Sequence, residues 1–160
     1  MKVLVLYYSK GGNTKKLAQA VMEGVEQVEG VAGVLKNTSD ATRDDFTEAG
    51  GVIAGSPVYF GTMAAPLKQV LDEFVSTRRK MEGKIGAAFA TSGDPTGGKE
   101  TTMMAILQAM LIYGMVICGD PLSATGHYGV ACVGEPDETT LENGRKLGRR
   151  VAELALKMGS

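Results

Sequence analysis

The residues best suited to chemistry lie in a short loop near the start of the chain, Ser9-Lys10-Gly11-Gly12-Asn13-Thr14. Hydroxyl, amide and ammonium groups alternate there with glycines, which let the backbone approach a ligand closely. An apolar, β-prone segment precedes the loop at residues 2–8, and apolar residues at helical spacing follow it at Leu17, Val21 and Val25. Together these features predict a phosphate site, because free backbone N–H groups and the positive helix end converge there. The alternative is a plain strand-to-helix turn whose Ser and Thr cap the helix.

Two further loops of unusual chemistry follow later apolar segments. The sequence Gly55-Ser56-Pro57-Val58-Tyr59-Phe60-Gly61-Thr62 presents two adjacent aromatic residues. The sequence Thr91-Ser92-Gly93-Asp94-Pro95-Thr96-Gly97-Gly98 offers polar groups that can hydrogen-bond the edge of a flat heteroaromatic ring. Tyr59 or Phe60 can wall a stacked ring; alternatively, one tucks into the core and the other packs against the next helix. One phosphate and one flat ring describe a mononucleotide with a planar head group.

The elements that must position these loops alternate along the chain. Five β-prone segments, at residues 2–8, 31–35, 51–54, 84–90 and 115–118, are separated by helical patterns. This predicts an α/β fold with an open, doubly wound, five-stranded parallel sheet. Because ligands bind such sheets beyond the carboxyl ends of the strands, we expect the loops after strands one, three and four to converge there. Thr139 and Glu142 predict a capping box at the start of the last helix.

Composition limits the class of protein. At 160 residues the chain is expected to be one domain, residues 1–160, and its 44% apolar and 22% charged residues suit a globular protein. The formal net charge is −1, from 17 basic and 18 acidic residues, so no basic excess points to nucleic acid. Neither a membrane span nor a signal-like leader is recognisable, which predicts a cytoplasmic protein. Cys118 and Cys132 lack metal-ligand spacing and are expected to be buried free thiols, with no metal site.

The loop at residues 9–14, followed by the one at residues 55–62, resembles the flavodoxin-like superfamily of FMN proteins over nearly the whole chain. The later half is more similar to NAD(P)H:quinone oxidoreductases of the tryptophan-repressor-binding-protein type. The shared features there are the loop at residues 91–100, the strand start at residues 114–117 and the Tyr128-Gly129 turn. This resemblance implies the strand order 2-1-3-4-5, helices on both sheet faces, FMN as cofactor and NAD(P)H as electron donor. It also implies assembly into homodimers or homotetramers.

By the same resemblance, the first loop holds the FMN phosphate, residues 58–60 line the isoalloxazine, and residues 91–98 bond its pyrimidine edge and ribityl chain. The full predicted set is Ser9, Lys10, Gly11, Gly12, Asn13, Thr14, Pro57, Val58, Tyr59, Phe60, Gly61, Thr91, Ser92, Gly93, Asp94, Gly97 and Gly98. The chain departs from the pattern in having Gly11 where flavodoxins usually carry a hydroxyl, and in having no Trp.

Two residues near the end of the chain are candidate catalytic groups. His127, the only histidine, stands in a Gly-flanked loop that we expect to leave a strand's carboxyl side, where it can pass a proton. The alternative is a surface histidine without a task. Tyr128 can cover the exposed face of the flavin ring, as the family resemblance also implies.

Three functions compete at this point. The first is an FMN oxidoreductase that passes electrons from NAD(P)H to a quinone-like or other small acceptor. The second is a flavodoxin-type electron carrier between redox partners. Such carriers are typically strongly acidic, so the net charge of −1 favours the enzyme, although an acidic patch at Asp40, Asp44, Asp45 and Glu48 keeps the carrier open. The third, an ATPase phosphate loop, lacks the Gly-Lys-Ser/Thr step that such loops need.

Overall fold

A computed structural model describes residues 1–159. Its strands and helices alternate in the order β1 (Lys2–Tyr7), α1 (Asn13–Glu26), β2 (Ala32–Asn37), α2 (Arg43–Glu48), β3 (Gly51–Tyr59), β4 (Thr62–Met63), α3 (Ala65–Glu73), a 3₁₀ turn (Val75–Thr77), α4 (Arg78–Met81), β5 (Ile85–Ser92), α5 (Lys99–Ile112), β6 (Val116–Ile117), β7 (Gly129–Val133) and α6 (Glu138–Met158).

The main sheet is parallel, and its strands follow the order β2-β1-β3-β5-β6. β7 also pairs with β5 in parallel, beyond β6, so that β6 and β7 share the fifth strand position. The short β4 returns antiparallel along the end of β3. The predicted flavodoxin-like sheet is therefore confirmed, in the order 2-1-3-4-5, with the fifth strand divided by residues 118–128.

Apolar side chains fill both faces of the sheet. Alternate residues of β1 point to opposite sides, so that Val3 and Val5 join one core cluster and Leu4 and Leu6 join the other. α1 and α6 cover the first face, while α3 and α5 cover the second. A strand buried on both faces accounts for the unbroken apolar run that begins the sequence.

Glycines bring α1 and α6 into backbone contact. A Cβ atom placed on Gly148 of α6 would lie 1.9 Å from the Val21 carbonyl oxygen, and one on Gly24 of α1 would lie 1.9 Å from the Arg145 carbonyl oxygen. Only residues without a side chain allow two helices to pack this closely. This contact fixes the position of α1, whose amino end faces the site described below.

Several details differ from the sequence predictions. The N-cap of α6 is Asp137, whose carboxylate accepts the Thr140 N–H at 2.8 Å, so the predicted capping box of Thr139 and Glu142 is wrong and both residues lie inside the helix. The segment between β2 and β3 contains the unpredicted helix α2, which begins with a capping box of Thr42 and Asp45.

Both cysteines are free thiols, and Cys132 is buried as predicted. Cys118 was also predicted to be buried but is half-buried. Burial raises the pKa of Cys132 to about 11. Across residues 1–159, no helix has the length and apolar character needed to span a membrane.

Candidate functional site

The loops that follow β1, β3 and β5 meet at the carboxyl edge of the sheet around a cavity of about 210 Å³. Its lining residues are Ser9, Lys10, Gly11, Asn13, Thr14, Pro57, Val58, Tyr59, Thr91, Ser92, Gly93 and Gly134. All but Gly134 belong to the set predicted from the sequence. The other predicted residues are outside this lining: Gly12, Phe60, Gly61, Asp94, Gly97 and Gly98.

The amino end of α1 opens into this cavity without a side-chain cap. Gly12 is the N-cap residue, with a φ of 99°, and no side chain bonds the N–H groups of the first helical turn. Ser9 instead accepts the Gly12 N–H through its hydroxyl at 3.1 Å, and the first turn contains no acidic residue. The alternative of a turn capped by its own Ser and Thr therefore does not hold, and the uncapped N–H groups are suited to an anion.

A buried pair of hydroxyl groups joins the first loop to the third. Thr14 Oγ1 and Thr91 Oγ1 are 2.8 Å apart, and both residues are buried. Two hydroxyls that share one hydrogen bond retain one further proton between them. Because Thr14 and Thr91 both line the cavity, that proton is available to an acceptor bound there.

The second loop is a two-residue hairpin whose turn is formed by Phe60 and Gly61. Tyr59 pairs with Thr62, and both turn residues have positive φ, 50° and 76°. This is the backbone of a type I′ turn, which usually takes Asn or Gly at its first central position. Phe60 is fully exposed at the tip, so neither it nor the cavity-lining Tyr59 packs into the core, contrary to the alternative left open above.

The third loop is ordered by its own hydrogen bonds. Ser92 donates its hydroxyl to the Asp94 carbonyl at 2.6 Å, and the Asp94 carboxylate accepts the hydroxyl and N–H of Thr96. The Thr96 hydroxyl and then its N–H lower the pKa of Asp94. Asp94 is therefore engaged within its loop rather than in the lining of the cavity.

Comparison with known proteins decides the family. A family model described as NADPH-dependent FMN reductase matches residues 1–129. The chain belongs to that family. It is 39% identical to a flavodoxin of Aquifex aeolicus over 158 residues, 95% of this chain and 85% of that protein. It is 32% identical to an NAD(P)H dehydrogenase (quinone) of Archaeoglobus fulgidus over 188 residues, 98% of each chain.

Solved structures agree on the fold of this FMN reductase family member. A WrbA-like flavodoxin from Agrobacterium tumefaciens superposes with a TM-score of 0.84 at 24% identity, covering 98% of both chains. An archaeal flavodoxin superposes with a TM-score of 0.80 at 28% identity, covering 98% of this chain and 99% of that one. The resemblance recognised in the sequence, with FMN as the flavin of an oxidoreductase, is confirmed.

The residues of the cavity fit an FMN group. The uncapped helix end and the hydroxyls of Ser9 and Thr14 suit its phosphate, and a Cβ on Gly11 or Gly12 would meet no atom within 4 Å, so the backbone there is open to a ligand. At about 210 Å³ the cavity is smaller than the roughly 300–1,000 Å³ of typical small-molecule pockets. The cavity is therefore smaller than a whole mononucleotide needs, and Tyr59 is one of its lining residues.

A fourth loop, which was not predicted from the sequence, also reaches the cavity. Gly134 follows β7, donates its N–H to the Ser92 carbonyl at 2.7 Å and lines the cavity. The next residue, Glu135, pairs with Lys16 of α1 at 2.7 Å. The apolar run at residues 130–133 that ends in Gly134 is the signal in the sequence for this loop.

His127 and Tyr128 lie away from the cavity lining. Both are exposed, and they precede β7, whose first residue Gly129 pairs with Ala88. Ala88 is four residues before Ser92, the last residue of β5. The start of β7 is therefore about 13 Å along the strand from the carboxyl end of β5. The prediction that the His127 loop stands at the carboxyl edge of the sheet is therefore wrong. This loop connects β6 to β7 and lies along the side of the sheet.

A single carboxylate organises that side loop. Asp120 is 5% exposed and accepts hydrogen bonds from the N–H groups of Thr125, Gly126 and His127 and from the Thr125 hydroxyl, at 2.6 to 3.1 Å. Burial by itself would raise the pKa of Asp120, but these hydrogen bonds outweigh it and lower the pKa. The backbone that carries His127 is thus held in one arrangement.

Proposed function

We propose that this protein is an FMN-dependent enzyme that accepts hydride from NAD(P)H and reduces a quinone-type acceptor. The observation that carries the proposal is the single cavity where an uncapped helix end, paired hydroxyls and an aromatic side chain meet. Relatives named NAD(P)H dehydrogenase (quinone), 32% and 31% identical over nearly the whole chain, support it.

In this proposal the protein binds and exposes the flavin, and bound FMN supplies the two-electron chemistry. Ser9, Asn13 and Thr14 hold the phosphate together with the N–H groups that begin α1. The backbone of residues 91–93 bonds the edge of the ring, and Tyr59 covers part of its face. The open rim leaves room for a nicotinamide or a quinone to approach.

Two of the four acidic residues that kept the carrier function open are paired with lysines of the same chain. Asp45 caps α2 and lies 3.5 Å from Lys36, and Glu48 pairs with Lys2 at 2.6 Å. These pairs reduce the local negative charge that would steer an electron carrier onto a basic partner. The charge distribution therefore favours an enzyme for small substrates.

The carrier remains a second candidate because the chain is 39% identical to a protein named flavodoxin. Stopped-flow mixing of FMN-loaded protein with NADH or NADPH separates the two. Rapid bleaching of the flavin, followed by steady turnover with a panel of quinones, supports the enzyme. Bleaching that takes minutes with both nicotinamides refutes the enzyme and supports the carrier.

The phosphate site is tested separately with a Thr14→Val variant. Loss of one hydrogen bond to a charged group, about 1.5–3 kcal/mol, is expected to weaken FMN binding tenfold or more. Riboflavin, which lacks the phosphate, serves as the internal control and should bind wild type and variant alike. Equal weakening of both ligands would show that Thr14 supports the cavity structurally and does not contact the phosphate.

A further inference from the structure

A cavity of about 700 Å³ lies at the amino edge of the sheet, opposite the edge that carries the candidate flavin site. Its lining residues are Val75, Ser76, Arg78, Arg79, Glu82, Tyr113 and Gly114. Gly114 comes shortly before β6, and Gly83, which donates its N–H to the Gly114 carbonyl at 2.9 Å, comes shortly before β5. The length of β5, about 23 Å from Ile85 to Ser92, separates the two cavities, so each can hold a ligand without blocking the other.

The segment beside this amino-edge cavity carries positive charge that the chain does not neutralise. Residues 78–84 contain four basic residues and one carboxylate, a formal charge of +3, in a chain whose net charge is −1. Within residues 1–159, none of these four basic residues forms an ion pair, whereas five basic residues elsewhere each pair with a carboxylate. Burial and then the charge of Lys80 lower the pKa of Lys84, so the cations of this segment repel one another. An anion bound beside them would relieve that repulsion.

The guanidinium of Arg78 is oriented on the cavity wall by a backbone carbonyl. Arg78 donates its Nε hydrogen to the Ile112 carbonyl at 2.5 Å. That bond uses one of the five N–H donors of the group, and none of the other four has an acceptor in the part of the chain that the structure describes. A guanidinium whose position is already fixed can bind a phosphate through two parallel hydrogen bonds.

The other lining residues indicate the class of ligand. Arg79 and Ser76 are exposed, and their side chains form no hydrogen bond or ion pair with residues 1–159, so both are free to donate to an anion. Val75 is 61% exposed and offers an apolar contact to the organic part of a ligand. Glu82 is the one carboxylate of the lining and is suited to accept the hydroxyl groups of a sugar.

We propose that the amino-edge cavity is a second ligand site, separate from the flavin site, and that it binds a sugar phosphate, either free or within a nucleotide. The phosphate lies between Arg78 and Arg79, and the sugar hydroxyls lie toward Glu82. Two guanidinium groups favour a phosphate, which presents two or more oxygens to each, over a single carboxylate. The volume of about 700 Å³ falls within the roughly 300–1,000 Å³ of small-molecule sites. This proposal does not depend on the enzymatic function proposed above.

The first test is calorimetric titration of the FMN-loaded protein, from which free FMN has been removed, with ribose 5-phosphate, AMP and ribose. Ribose 5-phosphate is expected to bind at least tenfold more tightly than ribose, which lacks the phosphate. Tighter binding of AMP than of ribose 5-phosphate assigns the site to a nucleotide, and equal or weaker binding assigns it to a free sugar phosphate. Failure of both phosphates to bind, or binding of ribose equal to that of ribose 5-phosphate, overturns the proposal.

Amide NMR spectra locate the bound ligand. Ribose 5-phosphate should shift the N–H signals of Gly83 and Gly114, while the absorbance spectrum of the flavin stays unchanged. Shifts confined to residues 9–14 would place the ligand in the flavin site and refute the proposal.

The second test uses charge variants of the FMN-loaded protein. Arg79→Gln is expected to weaken ribose 5-phosphate about tenfold or more, because it removes hydrogen bonds to a charged group. Arg149→Gln is the matched control, since Arg149 is an exposed arginine of α6, on the other face of the sheet, and its loss changes the net charge equally. Equal weakening by both variants would show general electrostatic attraction and refute a defined site, as would an Arg79→Gln variant that binds like wild type.

Glu82→Gln tests the opposite sign with inorganic phosphate as the probe. Removing the one carboxylate of the lining should tighten phosphate about threefold, because it removes repulsion without touching either arginine. Binding no tighter than wild type would contradict the placement of the anion. Unchanged circular dichroism and FMN binding confirm that each variant is folded.

Discussion

Removal of the Asp120 carboxylate is expected to destabilise the protein through the side loop. The group is 5% exposed and accepts four hydrogen bonds from Thr125, Gly126 and His127. Hydrogen bonds to a charged group are worth about 1.5–3 kcal/mol each. The donors lie in a loop, so in the variant water can form hydrogen bonds to them and recover much of this free energy. We therefore expect Asp120→Ala to lower the free energy of unfolding by about 3 kcal/mol, with Asp120→Asn intermediate.

The same carboxylate gives the stability a defined pH dependence. Because the pKa of Asp120 is lower in the folded chain than in the unfolded chain, its contribution is complete at neutral pH. The contribution is lost as the pH falls from near the ordinary value of 3.8 through the lower folded pKa. Asp120→Ala should therefore lose less stability than wild type over that acid range.

Urea unfolding at neutral and acid pH measures both effects, and amide hydrogen exchange locates them. Faster exchange is expected at Thr125, Gly126 and His127, with β5 unaffected. Asp137→Asn, at the exposed N-cap of α6, is the control for losing a capping carboxylate elsewhere. A cost below about 1 kcal/mol, together with a wild-type acid slope, would refute the role given to Asp120.

Three further predictions test packing, backbone strain and a buried hydroxyl. Gly148→Ala should cost about 3 kcal/mol in denaturant unfolding, because its Cβ would lie 1.9 Å from the Val21 carbonyl oxygen. Gly144→Ala, whose Cβ would meet only side-chain atoms, the nearest at 3.0 Å, should be nearly neutral, and equal costs would contradict this account. Phe60→Asn should raise Tm by relieving about 1 kcal/mol of positive-φ strain, whereas a lower Tm would reveal packing of the ring. Burial raises the pKa of Tyr113 from 10.0 to about 12, so wild-type stability should fall as the pH rises through that interval, and Tyr113→Phe should remove this fall.

The elements with strong apolar patterns could be predicted from the sequence. β1 and its flanking loop are an example, because a strand buried on both faces gives an unbroken apolar run. α2 could not be predicted, since its six residues include Phe46 as their only buried residue and give no helical period. The predicted strand at residues 115–118 contains β6, but the division of the fifth strand was not predicted. β7 begins with a glycine and pairs with β5, a contact between residues far apart in the sequence.

The sequence predicts which loops form the candidate site better than it predicts which of their side chains face the cavity. The predicted convergence of three loops depends only on parallel strands ending at one edge, and the cavity lies there. Which side chains face the cavity depends on turns that local sequence does not report. Phe60 is displaced by a hairpin turn that Phe rarely occupies, and Asp94 is drawn to Thr96. The binding roles of these residues stay predictions until FMN is titrated.

The divided fifth strand has a consequence for aggregation. An open sheet has two edges, and a long, flat edge can recruit a strand from another molecule. Here one edge is interrupted by residues 118–128 into pieces of two and five residues. The other edge, β2, carries Lys36, which is held by Asp45 at 3.5 Å. Neither border therefore offers a long uncharged template for fibril growth.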